Sequence, residues 1–150
     1  MSNIRVTKEF YFETAHALYG YDGKCKNIHG HSYKLSVTII GTPIEDINNP
    51  KNGMVMDFGD LKKIVKIEIV DFFDHVTIFN ENTPHKTIAL DLEKTGQRVI
   101  LVPYQPTSEM MIIDIAEKIK VKLPSDVKLH SLRLYETNTS YAEWFAADQN

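Results

Sequence analysis

The stretch CKNIHGH (25–31) sets the single cysteine before two histidines, and FETAH (12–16) ends on a third. Residues i and i+2 of an extended strand point to the same side, so His29 and His31 project together. Gly30 between them lets another group approach the backbone. If the segment ending at His16 pairs with the segment starting at His29, three imidazoles can converge to roughly 2.0–2.1 Å of one point, the distance zinc requires. An HxH pair by itself is more often a surface or core feature; adding His16 and a nearby thiol favours a metal centre. Three histidines leave a zinc ion one open position, the mark of a catalytic site, whereas four protein ligands mark a structural one. Cys25 therefore has two readings. It could close the site as a fourth ligand, or it could stand free as a base. Lys24 and Lys26 flank it, and adjacent cations favour the thiolate.

Two acidic positions add to the picture. Asp74 precedes His75 at the end of an apolar-periodic run, and a carboxylate beside an imidazole suits a proton relay. Adjacent residues of a strand point apart, so the pair requires a helix end or turn. Taken alone, Asp-His after a helix is more often a simple charge arrangement. Glu136 shares the parity of Leu132 and Leu134, so a carboxylate points as a buried face points. It is either exposed at a strand end or paired with a specific donor. Such a donor could be the guanidine-like edge of a pterin or guanine ring, which offers two parallel N–H bonds.

These residues need elements to hold them. Ile4, Val6, Phe10, Phe12 and His16 alternate with Arg5, Thr7, Glu9 and Glu13, which predicts a half-buried strand from Ile4 to about Leu18. Alternation returns from His29 to Ile39, predicting a second strand and an antiparallel pair. Residues 41–53 are turn chemistry. After Asp57, the spacing of Leu61, Ile64, Val65, Ile69 and Phe72 predicts a helix that ends near Phe73. Within 81–105 only RVILVPY reads as a strand. Thr107 or Ser108 is the natural N-cap of a helix carrying Ile112, Ile115, Ala116, Ile119 and Leu123, with Glu109 near the positive end of its dipole and Pro124 as its stop. Strands over 127–136 and 141–146 flank the turn TNTS. His85 and His130 have no companions and read as surface residues. The order predicts an α+β domain, residues 1–150, with helices on one face of an antiparallel sheet.

Composition limits the function. The protein has 150 residues, 43% apolar and 25% charged, with net charge -3. That acidic balance disfavours a nucleic-acid binder. One cysteine allows no internal disulfide and suits a reducing compartment. The charged start does not read as a signal peptide, and no apolar run approaches the roughly 18 residues of a membrane span. The expectation is a cytoplasmic protein with no membrane or nucleic-acid partner.

Together, FETAH (12–16), CKNIHGHSY (25–33), GMVMDF (53–58), DH (74–75), PTSE (106–109) and ETNTS (136–140) resemble, in order, the 6-pyruvoyltetrahydropterin synthase family. With three residues between the cysteine and HGH, the match is to the bacterial, carboxy-forming branch that leads to queuosine. The resemblance implies zinc on His16, His29 and His31, and Cys25 as general base with Asp74 and His75 as its relay. It also implies that Glu136 anchors a pterin ring, with Thr107 and Ser108 assisting. The implied fold is the tunnelling fold, a four-stranded antiparallel sheet with two helices on one face. Its trimers close their sheets into a barrel and stack as hexamers, with active sites between subunits. The implied reaction converts 7,8-dihydroneopterin triphosphate to 6-carboxy-5,6,7,8-tetrahydropterin, acetaldehyde and triphosphate. Two other readings stand beside it: the pyruvoyl-forming reaction, and a non-catalytic zinc module closed by Cys25. Thr14 departs from a common alanine, VTIFN departs from the motif after Asp-His, and 81–105 exceeds the shortest members.

Overall fold

Alternating residues in the first forty positions build the central hairpin. In the computed structural model, which describes residues 1–150, β1 (Ile4–His16) and β2 (His29–Gly41) pair antiparallel from Ile4 opposite Gly41 to His16 opposite His29. One parity points inward: Phe10, Phe12, Thr14 and His16 from β1, and Tyr33, Leu35, Val37 and Ile39 from β2. β5 (Lys128–Thr137) pairs antiparallel with β2, and β6 (Ser140–Phe145) returns along it, Thr137 opposite Ser140, through the turn TNTS.

The other edge of β1 carries pairings that local sequence patterns do not reveal, although a strand is expected within RVILVPY. β3 (Val76–Asn80) runs parallel to β1, and β4 (Val99–Val102) runs parallel to β3. The sheet is therefore six-stranded and mixed, in the order β4-β3-β1-β2-β5-β6, rather than four-stranded and antiparallel. A parallel pair needs a crossover, and α3 (His85–Lys94) supplies it between β3 and β4. VTIFN is too short, and too close behind a helix, for its alternation to stand out.

Three helical segments pack around this sheet. α1 (Phe58–Val65) is capped by Asp57, whose Oδ1 accepts from Gly59 N. It continues through a π turn (Lys66–Val70) into the short α2 (Asp71–Phe73). α4 (Ser108–Lys120) starts at Thr107, whose hydroxyl accepts from Met110 N, and stops before Pro124. α1 and α4 share one core with the inward strand residues, including Val76, Ile78 and Val102. α3 packs on the opposite face, where Ala89 and Leu92 meet Phe79, Val99, Leu101 and Ala17. So two helices cover one face as expected, and a third covers the edge of the other. No helix is long and apolar enough to cross a membrane.

The π turn changes which residues are buried. Leu61, Val65, Ile69 and Phe73 all lie in the core, spaced four apart, while Phe72 is 37% exposed. The wider π turn accommodates one extra residue, so the buried stripe shifts from the expected Phe72 to Phe73. Phe73 then stacks on Phe12 at 5.8 Å, and Phe12 stacks on Tyr33 at 5.4 Å. This aromatic column forms the floor beneath the histidines. Phe12→Ala should lower stability by about 3–5 kcal/mol in urea denaturation, whereas Lys94→Ala on exposed α3 should change it by less than about 0.5 kcal/mol.

Candidate active site

The three histidines meet where the β1–β2 ladder ends. His16 is buried, at 1% exposure, and directly opposite His29. Their Nε2 atoms are 3.1 Å apart, and the ring centroid of His31 lies 5.1 Å from that of His16 and 4.9 Å from that of His29. One ligand atom from each lies within 4.8 Å of the others. Hydrogen bonding sets the tautomers. His16 Nδ1 lies 2.7 Å from the carbonyl of Pro106, and His29 Nδ1 lies 2.7 Å from the carbonyl of Asn27. A carbonyl only accepts, so each Nδ1 carries the hydrogen, which leaves each Nε2 as the nitrogen able to offer a lone pair. Two facing lone pairs at this distance repel unless a cation stands between them. His31 Nε2 is enclosed and has no hydrogen-bond partner. This donor set fits a divalent metal. Burial also pushes the His16 pKa down, keeping the ring neutral, and it does the same for His31.

Cys25 lies outside the donor group, which contains the three histidines alone. It is half-buried in a single helical turn (Lys24–Lys26), and its carbonyl accepts from Leu18 N at 3.0 Å. The structure thus favours a free thiol over a fourth ligand. Glu136 is half-buried at the end of β5 and points into the site. Its Oε1 is 3.5 Å from His31 Nε2, and its Oε2 accepts from the Ser108 hydroxyl at 2.7 Å. Thr107 caps α4 beside Ser108, so the carboxylate, the helix start and the histidines converge. Tyr33 joins them without any sequence signal beyond its inward parity. Its buried hydroxyl has no partner, and burial raises its pKa well above the ordinary phenol, with Glu136 and Cys25 adding to the effect.

Asp74 and His75 sit elsewhere. His75 Nδ1 is 2.9 Å from Asp74 Oδ2. The imidazole is 74% exposed. It lines a depression of about 380 Å³ with Glu13, Ala15, Gly30 and Ser32, the outward parity of β1 and β2, and with Thr14 and His31 of the inward parity. A Cβ at Gly30 would meet Thr14 O at 3.6 Å, an ordinary contact, so the glycine leaves this depression open without being sterically required. His75 adopts φ 57°, the left-handed region that costs a non-glycine residue roughly 1–2 kcal/mol. His85 is not a surface residue: it packs edge-on against Tyr19 and Phe79, with Nδ1 enclosed. His130 is half-buried against Phe145.

His16→Ala should abolish stoichiometric metal binding, measured by atomic absorption, while Cys25→Ala should retain it. Metal-free protein should also lose stability as pH falls. The native His16 pKa is depressed, so the unfolded state binds the proton first. The stabilisation is complete above the unfolded value of about 6.5 and is lost progressively below it. Urea denaturation between pH 7.5 and 5 reads this slope, which His16→Gln should flatten.

Comparison with known proteins matches this geometry to a family. Residues 5–147 match the family model described as 6-pyruvoyl tetrahydropterin synthase. The chain is 43% identical over 144 residues to a Haemophilus influenzae protein named 6-carboxy-5,6,7,8-tetrahydropterin synthase, covering 94% of this chain and 98% of that one. A Rickettsia typhi protein of the same name is 34% identical over 143 residues, covering 93% and 99%. Among solved structures, 6-pyruvoyl tetrahydropterin synthase of Caenorhabditis elegans superposes with a TM-score of 0.69 at 26% identity, covering 97% of each chain. An uncharacterized protein of Wolinella succinogenes shares the fold, with a TM-score of 0.79 at 21% identity over 97% and 99%. The chain belongs to the 6-pyruvoyl tetrahydropterin synthase family.

Proposed function

We propose that this protein is a zinc-dependent lyase. It takes 7,8-dihydroneopterin triphosphate and water to 6-carboxy-5,6,7,8-tetrahydropterin, acetaldehyde and triphosphate, on the route to queuosine. The observation that carries this reading is the 43% identity, over nearly all of both proteins, to a 6-carboxy-5,6,7,8-tetrahydropterin synthase. The convergence of three imidazoles, a carboxylate and a serine at one end of the sheet supports it.

His16, His29 and His31 would hold the zinc, an ion suited to three imidazoles and a fourth open position. When bound, zinc supplies Lewis-acid polarisation of a substrate oxygen. Glu136 accepts two N–H bonds from the pterin edge. Ser108, donating to Glu136 Oε2, fixes the carboxylate, and Thr107 anchors the helix start beneath it. Cys25 takes a proton from a carbon of the substrate's hydroxylated arm, and His75, oriented by Asp74, returns a proton elsewhere on the molecule. In a trimer or hexamer whose sites lie between protomers, as the family resemblance implies, the relay serves Cys25 of a neighbouring subunit. A free thiol at the centre of the reaction suits a reducing compartment, in keeping with a cytoplasmic enzyme.

Incubation of the zinc-loaded protein with 7,8-dihydroneopterin triphosphate should release acetaldehyde and the 6-carboxy product. A pyruvoyl product without acetaldehyde would replace this reading with the activity named for the Caenorhabditis elegans neighbour. Cys25→Ala should keep its zinc and lose about 10²–10⁴-fold in kcat. Glu136→Gln should raise KM more than it lowers kcat, because it weakens ring binding ahead of the chemistry.

A further inference from the structure

Residues 81–105 bring one guanidinium back to the Asp74–His75 pair. Arg98 stands immediately before β4, and its own carbonyl accepts from Thr77 N at 3.1 Å, which ties it to β3. Its guanidinium makes no ion pair with a carboxylate. Instead it donates through Nη1 to the carbonyl of Asp74 at 2.9 Å and through Nη2 to the carbonyl of Asp71 at 3.1 Å. These are carbonyls at the end of a helix, where no following turn supplies a donor. Thr14 completes the set by donating to the carbonyl of Phe73 at 2.8 Å.

The Asp74 carbonyl belongs to the same peptide plane as the His75 amide. That amide donates to Glu13 O at 2.6 Å. Both polar ends of the 74–75 peptide are thus held, one by Arg98 and the other by β1. The Asp74 carboxylate is held as well, since its Oδ1 accepts from Glu13 N at 2.8 Å. The residue beyond this plane is His75, in the left-handed conformation that a histidine adopts only under constraint. Rotation of the 74–75 plane would relieve that backbone and swing the imidazole away from its present line. We infer that Arg98 is a positioning residue for the Asp74–His75 pair, and that the β3–α3–β4 insert serves the reaction by delivering it. This inference rests on the relay role proposed for His75.

The test uses the zinc-loaded, full-length protein with 7,8-dihydroneopterin triphosphate. Arg98→Met should lower kcat by roughly 10- to 100-fold while KM and bound zinc change little, since misplacing a catalytic group by about 1 Å costs this much. Arg98→Lys, which keeps one donor, should recover part of the loss; it also serves if the methionine variant folds poorly. In a His75→Ala background the same substitution should cost nothing more, because the group it positions is gone. Hydrogen exchange at the His75 amide should accelerate in Arg98→Met. An unchanged kcat, or an equal loss in the His75→Ala background, overturns the positioning role and leaves the relay standing. Wild-type turnover by His75→Ala overturns the relay itself. Unchanged exchange at the His75 amide overturns the positioning role whatever the turnover.

Discussion

The antiparallel register of β1 and β2 is the constraint on which the site depends. His16 and His29 form the last residue pair of that ladder, and His31 lies opposite Thr14 two residues in. Because side chains alternate, a slip of one residue would turn the histidines of one strand to the outer face and scatter the donors. The register is pinned by the long inward row that the histidines extend: Phe10, Phe12, Tyr33, Leu35, Val37 and Ile39 are all buried. Burying each such residue contributes about 1.5–3 kcal/mol, so the core enforces the pairing that the chemistry requires. The histidine cluster is in this sense the frayless end of a hydrophobic ladder, two of its rings held by carbonyls of Pro106 and Asn27.

The second constraint lies at the end of the segment running from α1 to α2. The π turn keeps Phe73 in the core and so determines where Asp74 emerges. From that point the backbone reverses into β3 through a left-handed histidine, and the polar groups at the reversal are engaged: the Phe73 carbonyl by Thr14, the Asp74 carbonyl by Arg98, the His75 amide by Glu13. Thr14 therefore acquires a reason. It is only 3% exposed, and its hydroxyl supplies a donor that alanine lacks. The Asp74 carboxylate is held below the ordinary range: burial alone would raise it, but the Glu13 amide, His75 and Arg98 outweigh that effect.

The candidate groups thus fall into two clusters, the histidines with Glu136 and the Asp74–His75 pair. The first is enclosed, with a neutral His16 and a Glu136 that two elements, β5 and α4, bring together. The Asp74–His75 pair is open, and its imidazole is exposed. A single protomer carries both.

Much of this was legible in the residues. Period-two alternation sufficed to find β1, β2, β5 and β6, since half-buried strands advertise themselves. It also placed His16, His29 and His31 on one face, and the parity of Glu136 with Leu132 and Leu134 pointed it inward. The cap of α4 was readable from residue type as Thr107 or Ser108, and it is Thr107. Other features were decided by tertiary structure alone. β3 and β4 are short runs whose parallel pairing depends on a neighbour across the sheet, and no local pattern encodes a crossover. The shift from Phe72 to Phe73 arises from a turn whose wider hydrogen bonding no residue type announces. Arg98 sits in the least patterned stretch, and its partners are backbone carbonyls 24 and 27 residues away. Local periodicity reports the face on which a residue lies; which distant groups share that face is settled only when the sheet is assembled.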